Sequence, residues 1–359
     1  MIDKKSKKFL KEYLGNASPT GHETKGQELW LDYISPYVHE WHTDVYGTAY
    51  GIINPGKKYK VVIESHADEI SWYVNYISDK GNIHVIRNGG SDQTIAASRR
   101  VNIHTPKGIV RGVFGWPAIH VRKGKDANLA PTLENIFIDV GAKDKKEVEE
   151  LGIHVGCVIT YDDGYEEINK KCFIGRALDN RLGGYCIAEV ARKLSEEKIK
   201  LPYSLYVVNS VQEEVGLHGA TMIAQTIRPD VAIVTDVTHD TSTPLIDAKQ
   251  EGDVRLGLGP ALTYAPSVHR KLLQLIEEAA QVNQIPFQRV ASSRSTGTDT
   301  DAFAYANGGI PSALISIPLR YMHTTVEMAH FEDISHLINL IAASLQQIKS
   351  GHNFKYFDR

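Results

Sequence analysis

The chain has 359 residues, of which 42% are hydrophobic, 23% charged and 8% aromatic; that is the make-up of an ordinary globular protein, long enough for one large domain and a second, smaller one. A formal net charge of -3 offers no footprint for a polyanion, and the short basic runs Lys57-Lys58 and Lys143-Asp144-Lys145-Lys146 read as solvated faces, so nucleic acid is excluded as the expected partner. Three cysteines, Cys157, Cys172 and Cys186, are odd in number and lack C-x-x-C spacing, which excludes a disulfide framework and a thiolate zinc site.

In chain order, Met1 to Lys8 is basic but runs into Phe9-Leu10-Lys11-Glu12-Tyr13-Leu14, an amphipathic helix without a leader's apolar core or cleavage site. No stretch reaches the ~20 apolar residues that a bilayer span needs, so a cytoplasmic protein without membrane contact is expected. Tyr59 to Glu64 reads as a short buried strand. From 71 to 163 the pattern changes to strand-like pieces cut by Gly and Pro turns: Trp72 to Ile77, Val101 to His104, Gly108 to Phe114, Ile136 to Gly141 and Cys157 to Tyr161. One helix, Asp144 to Leu151, sits among them. This segment is expected as an inserted β-rich domain, with 1–70 and 164–359 forming the other domain.

After the insertion, helical spacing over Leu182 to Leu194, Val268 to Val282 and Ile334 to Ile348 alternates with short aliphatic strands at Leu205 to Val211, Val231 to Thr235 and Ser312 to Ile317. Alternation of this kind predicts an α/β domain whose mostly parallel sheet is covered by helices on both faces.

Every candidate metal ligand stands at or just past the C-terminal end of an expected strand, where open α/β sheets place their ligand crevice. Glu64-Ser65-His66-Ala67-Asp68 follows Val61-Val62-Ile63, Glu213-Glu214 follows the run ending at Val211-Gln212, Asp236 follows Thr235, and His323 lies past Ile315-Ser316-Ile317. Asp179-Asn180-Arg181 opens a helix. Two imidazoles with several carboxylates and no thiolate suit a pair of divalent ions, Zn²⁺ or Co²⁺, with Mn²⁺ a further choice. Ions ~3.5 to 4 Å apart need a shared carboxylate to offset their repulsion. Asp179 takes that place, His66 and Asp236 serve one ion, and Glu214 and His323 serve the other.

Glu213 is left free as general base. Asp68, two residues from His66 and on the same face of an extended segment, orients the imidazole and is counted with Glu213 as catalytic rather than as a ligand. Taken singly, adjacent glutamates are usually a solvated turn and an H-x-D pair a surface ion pair; their convergence at strand ends decides otherwise. His22, in Ser18-Pro19-Thr20-Gly21-His22-Glu23, fits a plain turn or a turn dipping into the cleft. Asp299 and Asp301, in Gly297-Thr298-Asp299-Thr300-Asp301, fit either support of the site or helix capping.

Glu64-Ser65-His66-Ala67-Asp68-Glu69-Ile70, Arg176-Ala177-Leu178-Asp179-Asn180-Arg181, Val211-Gln212-Glu213-Glu214-Val215-Gly216, Thr235-Asp236-Val237-Thr238 and Arg320-Tyr321-Met322-His323 together resemble the tetrahedral (TET-type), co-catalytic di-metal aminopeptidases of the glutamyl aminopeptidase kind. The resemblance runs from end to end. It implies a zinc-peptidase-like α/β/α catalytic domain, two metals on His66, Asp179, Glu214, Asp236 and His323, and Glu213 as base, in agreement with the strand-end assignment. It also implies that the inserted domain is barrel-like and serves dimerisation, and that dimers assemble into a hollow dodecamer admitting only short peptides. Ser65 and Ala67 stand where the family usually has Ala and Met, and Ser71 where Gly is common, which alters packing around His66 but not its chemistry. The loop Ser292 to Thr300 and the stretch Pro318 to Tyr321 are expected to shape the side-chain pocket.

The reaction expected is removal of N-terminal residues from short peptides. A di-metal deacylase of amino-acid amides would use the same ligands. An endoglucanase-type glycoside hydrolase would need only a carboxylate pair such as Glu213 with Asp179, and would leave His66 and His323 idle. A non-catalytic assembly protein of the same fold would have lost ligands that this chain keeps.

Overall fold

The computed structural model describes residues 3–124 and 128–357. Helices α1 (Lys4–Gly15) and α2 (Thr24–Ile34) lead into strands β1 (Glu40–Thr43), β2 (Ala49–Ile53) and β3 (Lys60–His66). The chain then forms β4 (Ser71–Ile77), β5 (Ile83–Asn88), β6 (Arg100–Thr105), β7 (Gly108–Gly115), β8 (Phe137–Asp139), α3 (Lys145–Glu150) and β9 (Val158–Tyr161). It returns through β10 (Glu166–Glu167) and β11 (Cys172–Gly175) to α4 (Leu178–Glu196), β12 (Ser204–Ser210), α5 (His218–Ile227), β13 (Val231–His239), α6 (Ala248–Glu251) and β14 (Ala261–Tyr264). Last come α7 (Arg270–Val282), β15 (Gln288–Ala291), α8 (Asp299–Ala304), β16 (Ser312–Leu319), β17 (Glu327–His330) and α9 (Phe331–Gln347).

The eight-stranded sheet has the order β1-β2-β12-β3-β13-β16-β14-β15. Its centre, β12-β3-β13-β16, is parallel, and antiparallel pairs join β2 and β14 to its two sides. The central strands carry continuous apolar runs because both faces are covered: Val61, Val62, Ile63, Val207, Val208, Ile233, Leu314 and Ile315 are all buried. Helix α4 lies against β3, β12 and β13, with α1, α2 and α9 packed on it; α5 and α8 pack on each other and against β12, β13 and β16.

Between β3 and α4 the chain builds a closed barrel, β4-β5-β8-β7-β6-β9, around its own apolar cluster of Trp72, Ile83, Ile103, Phe114 and Ile159. Its two stems are tied together by Arg176, which donates from Nε to the Tyr161 carbonyl (3.0 Å) and from Nη1 to Glu69 (2.8 Å). A buried guanidinium needs such partners to offset its desolvation.

One expectation needs correction. Strand β13 does not stop at Thr235; β16 pairs with it in register from Ala232 to His239, so Asp236 sits inside a strand opposite Ser316 rather than just past one. Strands β1, β2, β5, β10, β11, β14, β15 and β17 lie outside the sequence expectation because they are short and, in β1 and β10, wholly exposed, with no long apolar run to mark them.

Candidate metal centre

His66 is the last residue of β3, and its ring is buried. Its Nε2 lies 3.3 Å from Asp179 Oδ1, 3.8 Å from Asp236 Oδ1 and 3.9 Å from Glu213 Oε2. Across the cleft His323, in the loop between β16 and β17, places its Nε2 3.1 Å from Asp179 Oδ2 and 3.7 Å from Glu214 Oε1. The two oxygens of Asp179 thus face two different imidazoles. This is possible because the chain is not yet helical at Asp179 (φ -79°, ψ 111°) or Asn180, and Ala177 before them is left-handed (φ 58°). Asn180 fixes that start, donating from Nδ2 to the Thr235 carbonyl (2.8 Å), one residue before Asp236.

All six expected ligand and base residues therefore meet in one cleft. Donor atoms of His66, Asp179 and Glu214, and likewise of His66, Glu213 and Asp236, lie within 4.8 Å of one another. Asp68 is buried beneath the tandem glutamates: its carboxylate accepts from the amides of Glu213 (3.0 Å) and Glu214 (3.2 Å) and from Thr20 Oγ1 (2.9 Å). Its Oδ1 is 3.2 Å from His66 Nδ1, poorly aligned for a hydrogen bond. Asp68 consequently holds the Glu213-Glu214 main chain at least as firmly as it orients the ring.

Glu327 is a functional neighbour that the sequence reading missed. One of its oxygens accepts from the His323 amide (2.7 Å) and the other from the Asp179 amide (3.1 Å), so it locks the two residues to each other. Its position four residues after His323 was the only available signal. A buried hydroxyl, Ser210 Oγ, lies 2.5 Å from Glu64 Oε1 and 2.8 Å from Asp299 Oδ2. Asp299 is therefore a buried neighbour of the centre, while Thr298 caps α8. Asp301 closes a turn by accepting from the amides of Thr296 (2.9 Å) and Gly297 (3.1 Å). His22 does not join the cluster; it lines a separate cavity with His104 and approaches Tyr73.

Burial crowds this cleft with charge that protein alone does not offset. Burial, with the charges of Asp236, Asp299 and Asp179, pushes Glu213 up to about 10 against the pull of His66. Asp236 is pushed to about 8 by burial, against the pull of His66 and with the charge of Asp179, and burial with Asp179 raises Glu214 well above its ordinary range. Burial would also raise Asp179, but hydrogen bonds from His323 and His66 hold it below the carboxylate range. A cleft of buried carboxylates with two imidazoles, and no thiolate among them, is the donor set for hard or borderline divalent ions, whose charge reverses this pKa order. The residues fit the group.

The cavity above the cluster, about 320 Å³, has an outer wall of Val237, Thr238, Thr296, Gly297, Thr298 and Met322. The loop expected to shape it does so through Thr296 to Thr298, whereas Pro318 and Leu319 stay buried in β16.

The sequence profile of M42 glutamyl aminopeptidase matches residues 47–340. The chain is 32% identical over 348 residues to a lysyl aminopeptidase of Pyrococcus furiosus, covering 95% of this chain and 97% of that one. Among solved structures it is similar to a TET aminopeptidase from a marine sediment Thaumarchaeota archaeon, with TM-score 0.92 and 28% identity over 96% of this chain and 97% of that one. It is also similar to the Pyrococcus horikoshii TET1 peptidase, which can assemble into a tetrahedron or a large octahedral shell, with TM-score 0.83 and 27% identity over 94% and 98%.

Proposed function

The chain belongs to the M42 glutamyl aminopeptidase family and is an aminopeptidase; on that footing we propose that it trims short peptides with two divalent cations on His66, Asp179, Glu214, Asp236 and His323, and with Glu213 as general base. The observation that carries this reading is the Asp179 carboxylate, whose oxygens address His66 and His323 from opposite sides. Zn²⁺ or Co²⁺ suits the donors best, with Mn²⁺ next. When bound, such a pair polarises the scissile carbonyl and acidifies a water.

This chain's residues do the remainder. Asp179 would help to hold both ions, and Glu327, accepting from the amides of Asp179 and His323, keeps those two residues aligned. Glu213, held by its amide on Asp68, takes the water's proton on its carboxylate and passes it to the leaving amine. The wall from Thr296 to Thr298, with Met322, receives the first side chain.

Following the resemblance, the barrel is assigned the dimer contact and the dodecamer the final assembly. Among the described residues no helix is long and apolar enough to cross a membrane; the cytoplasm is the site of action we assign. Glycoside hydrolysis through Glu213 and Asp179 is the weaker reading, since it leaves two buried or half-buried imidazoles without work.

The test is a metal assay joined to a substrate comparison. Two ions per subunit and cleavage of a free dipeptide, with its N-acetylated form left intact, are expected. Equal cleavage of the acetylated form would move the assignment to a deacylase, and cellulose hydrolysis surviving a chelator would move it to a glycosidase.

A further inference from the structure

The barrel reaches into the metal centre through two glycines. After β5, Gly89 and Gly90 pass beneath the cleft, and a methyl group placed on Gly90 would lie 2.9 Å from both Cε1 and Nδ1 of His323. One on Gly89 would lie 3.2 Å from Glu214 Cβ. Contacts under 3.0 Å force something to shift. Gly89 has a left-handed backbone (φ 78°), but Gly90 does not, so at Gly90 only the imidazole stands in the way of a side chain.

The segment cannot simply retreat. Buried Asn88 donates from Nδ2 to the Thr20 carbonyl (2.9 Å) and to Ser71 Oγ (2.8 Å), and buried Ser91 donates to the Ser71 carbonyl (2.7 Å). The two imidazoles are also held differently. His66 has Asp68 at its Nδ1 side, whereas His323 turns Nε2 toward Asp179 and lays its Nδ1–Cε1 edge on Gly90.

We propose that Gly90 is a positioning residue: its bare Cα is the seat that aims His323 Nε2 at the cleft, so the inserted barrel sets the affinity of the cation position built from Glu214 and His323. This rests on the reading of His323 as a ligand. Supports of this kind are worth on the order of 10- to 100-fold in metal affinity.

The test is Gly90→Ala, followed by Co²⁺ titration of the metal-free protein with calorimetry and the cobalt absorption bands, alongside His323→Ala and the double variant. Gly90→Ala should still bind one ion with wild-type affinity and bind the second roughly 10- to 100-fold more weakly, with altered bands. In the His323→Ala background, where the second position is already impaired, Gly90→Ala should change nothing further. If Gly90→Ala fails to fold while the double variant folds, the clash with the imidazole is equally established. Wild-type affinity for both ions in Gly90→Ala, with His323→Ala losing one, overturns the seat alone. Two ions retained in His323→Ala overturn the ligand reading beneath it. Failure of both Gly90 variants to fold assigns the glycine to the barrel and overturns the proposal.

Discussion

Glu213 and Glu214 differ by one position in sequence and by a whole role in the proposed chemistry. Both amides rest on Asp68, while the left-handed residues Gln212 (φ 58°) and Leu217 (φ 59°) bend the segment so that the two carboxylates reach different parts of the cleft. Glu213→Gln keeps the shape and removes the proton acceptor. Two ions should stay bound by metal assay while kcat falls by roughly 10²- to 10⁴-fold; metal lost together with activity would make Glu213 a ligand. At this scale His66, Asp179, Glu214, Asp236, Glu213 and His323 were legible as converging residues, because each stands in or beside a strong local pattern. Glu327, Ser210 and Gly90 were not, since their importance lies in contacts with residues distant in sequence or hidden by a loop, and none carries a motif of its own.

The most legible elements were the longer strands covered on both faces. Strands β3, β12 and β16 announce themselves as unbroken aliphatic runs because they are covered on both faces. The edge strands are polar and follow only from their neighbours, and the extension of β13 to His239 follows from its pairing with β16. Just beyond β13, Asp240 ties down the end of that strand: it accepts from Ser242 (amide 2.7 Å), from the Leu256 amide (3.1 Å) and from Arg320 Nε (2.8 Å). Burial pushes its carboxyl up, but the bonds from Ser242, Arg320 and Leu256 outweigh that and hold it below the usual range. A depressed folded value contributes stability above the unfolded value of ~3.9, and this is lost as pH falls through the folded value. Asp240→Asn should therefore lower the urea midpoint at pH 7, and the gap to the parent chain should close as pH is taken from about 5 toward 2. A gap unchanged across that window would show that the charge of Asp240 adds nothing.

For the whole molecule, the centre is a cost that the proposed ions would offset. Without them, Glu213, Glu214 and buried Asp236 are pushed toward their protonated forms, and the cleft walls belong to β3, β13, α4 and the loops after β12 and β16, at the middle of the large domain. Chelation should lower the thermal midpoint, and Zn²⁺ or Co²⁺ should restore it. A ligand at about 100 times its dissociation constant is worth ~2.7 kcal/mol. A midpoint indifferent to chelator would mean that the metals bind without supporting the fold.

The barrel leaves and rejoins the large domain through β4 and β9, which are paired side by side at Trp72 and Ile159. A gene deletion removing the whole module could thus be bridged by a few residues, and modules with adjacent ends are the ones that recombination shuffles between proteins with least damage. Here such shuffling would carry off Gly89 and Gly90 too. A lineage exchanging this module would have to keep its glycine tip, so the tip ties the history of the barrel to the chemistry next door.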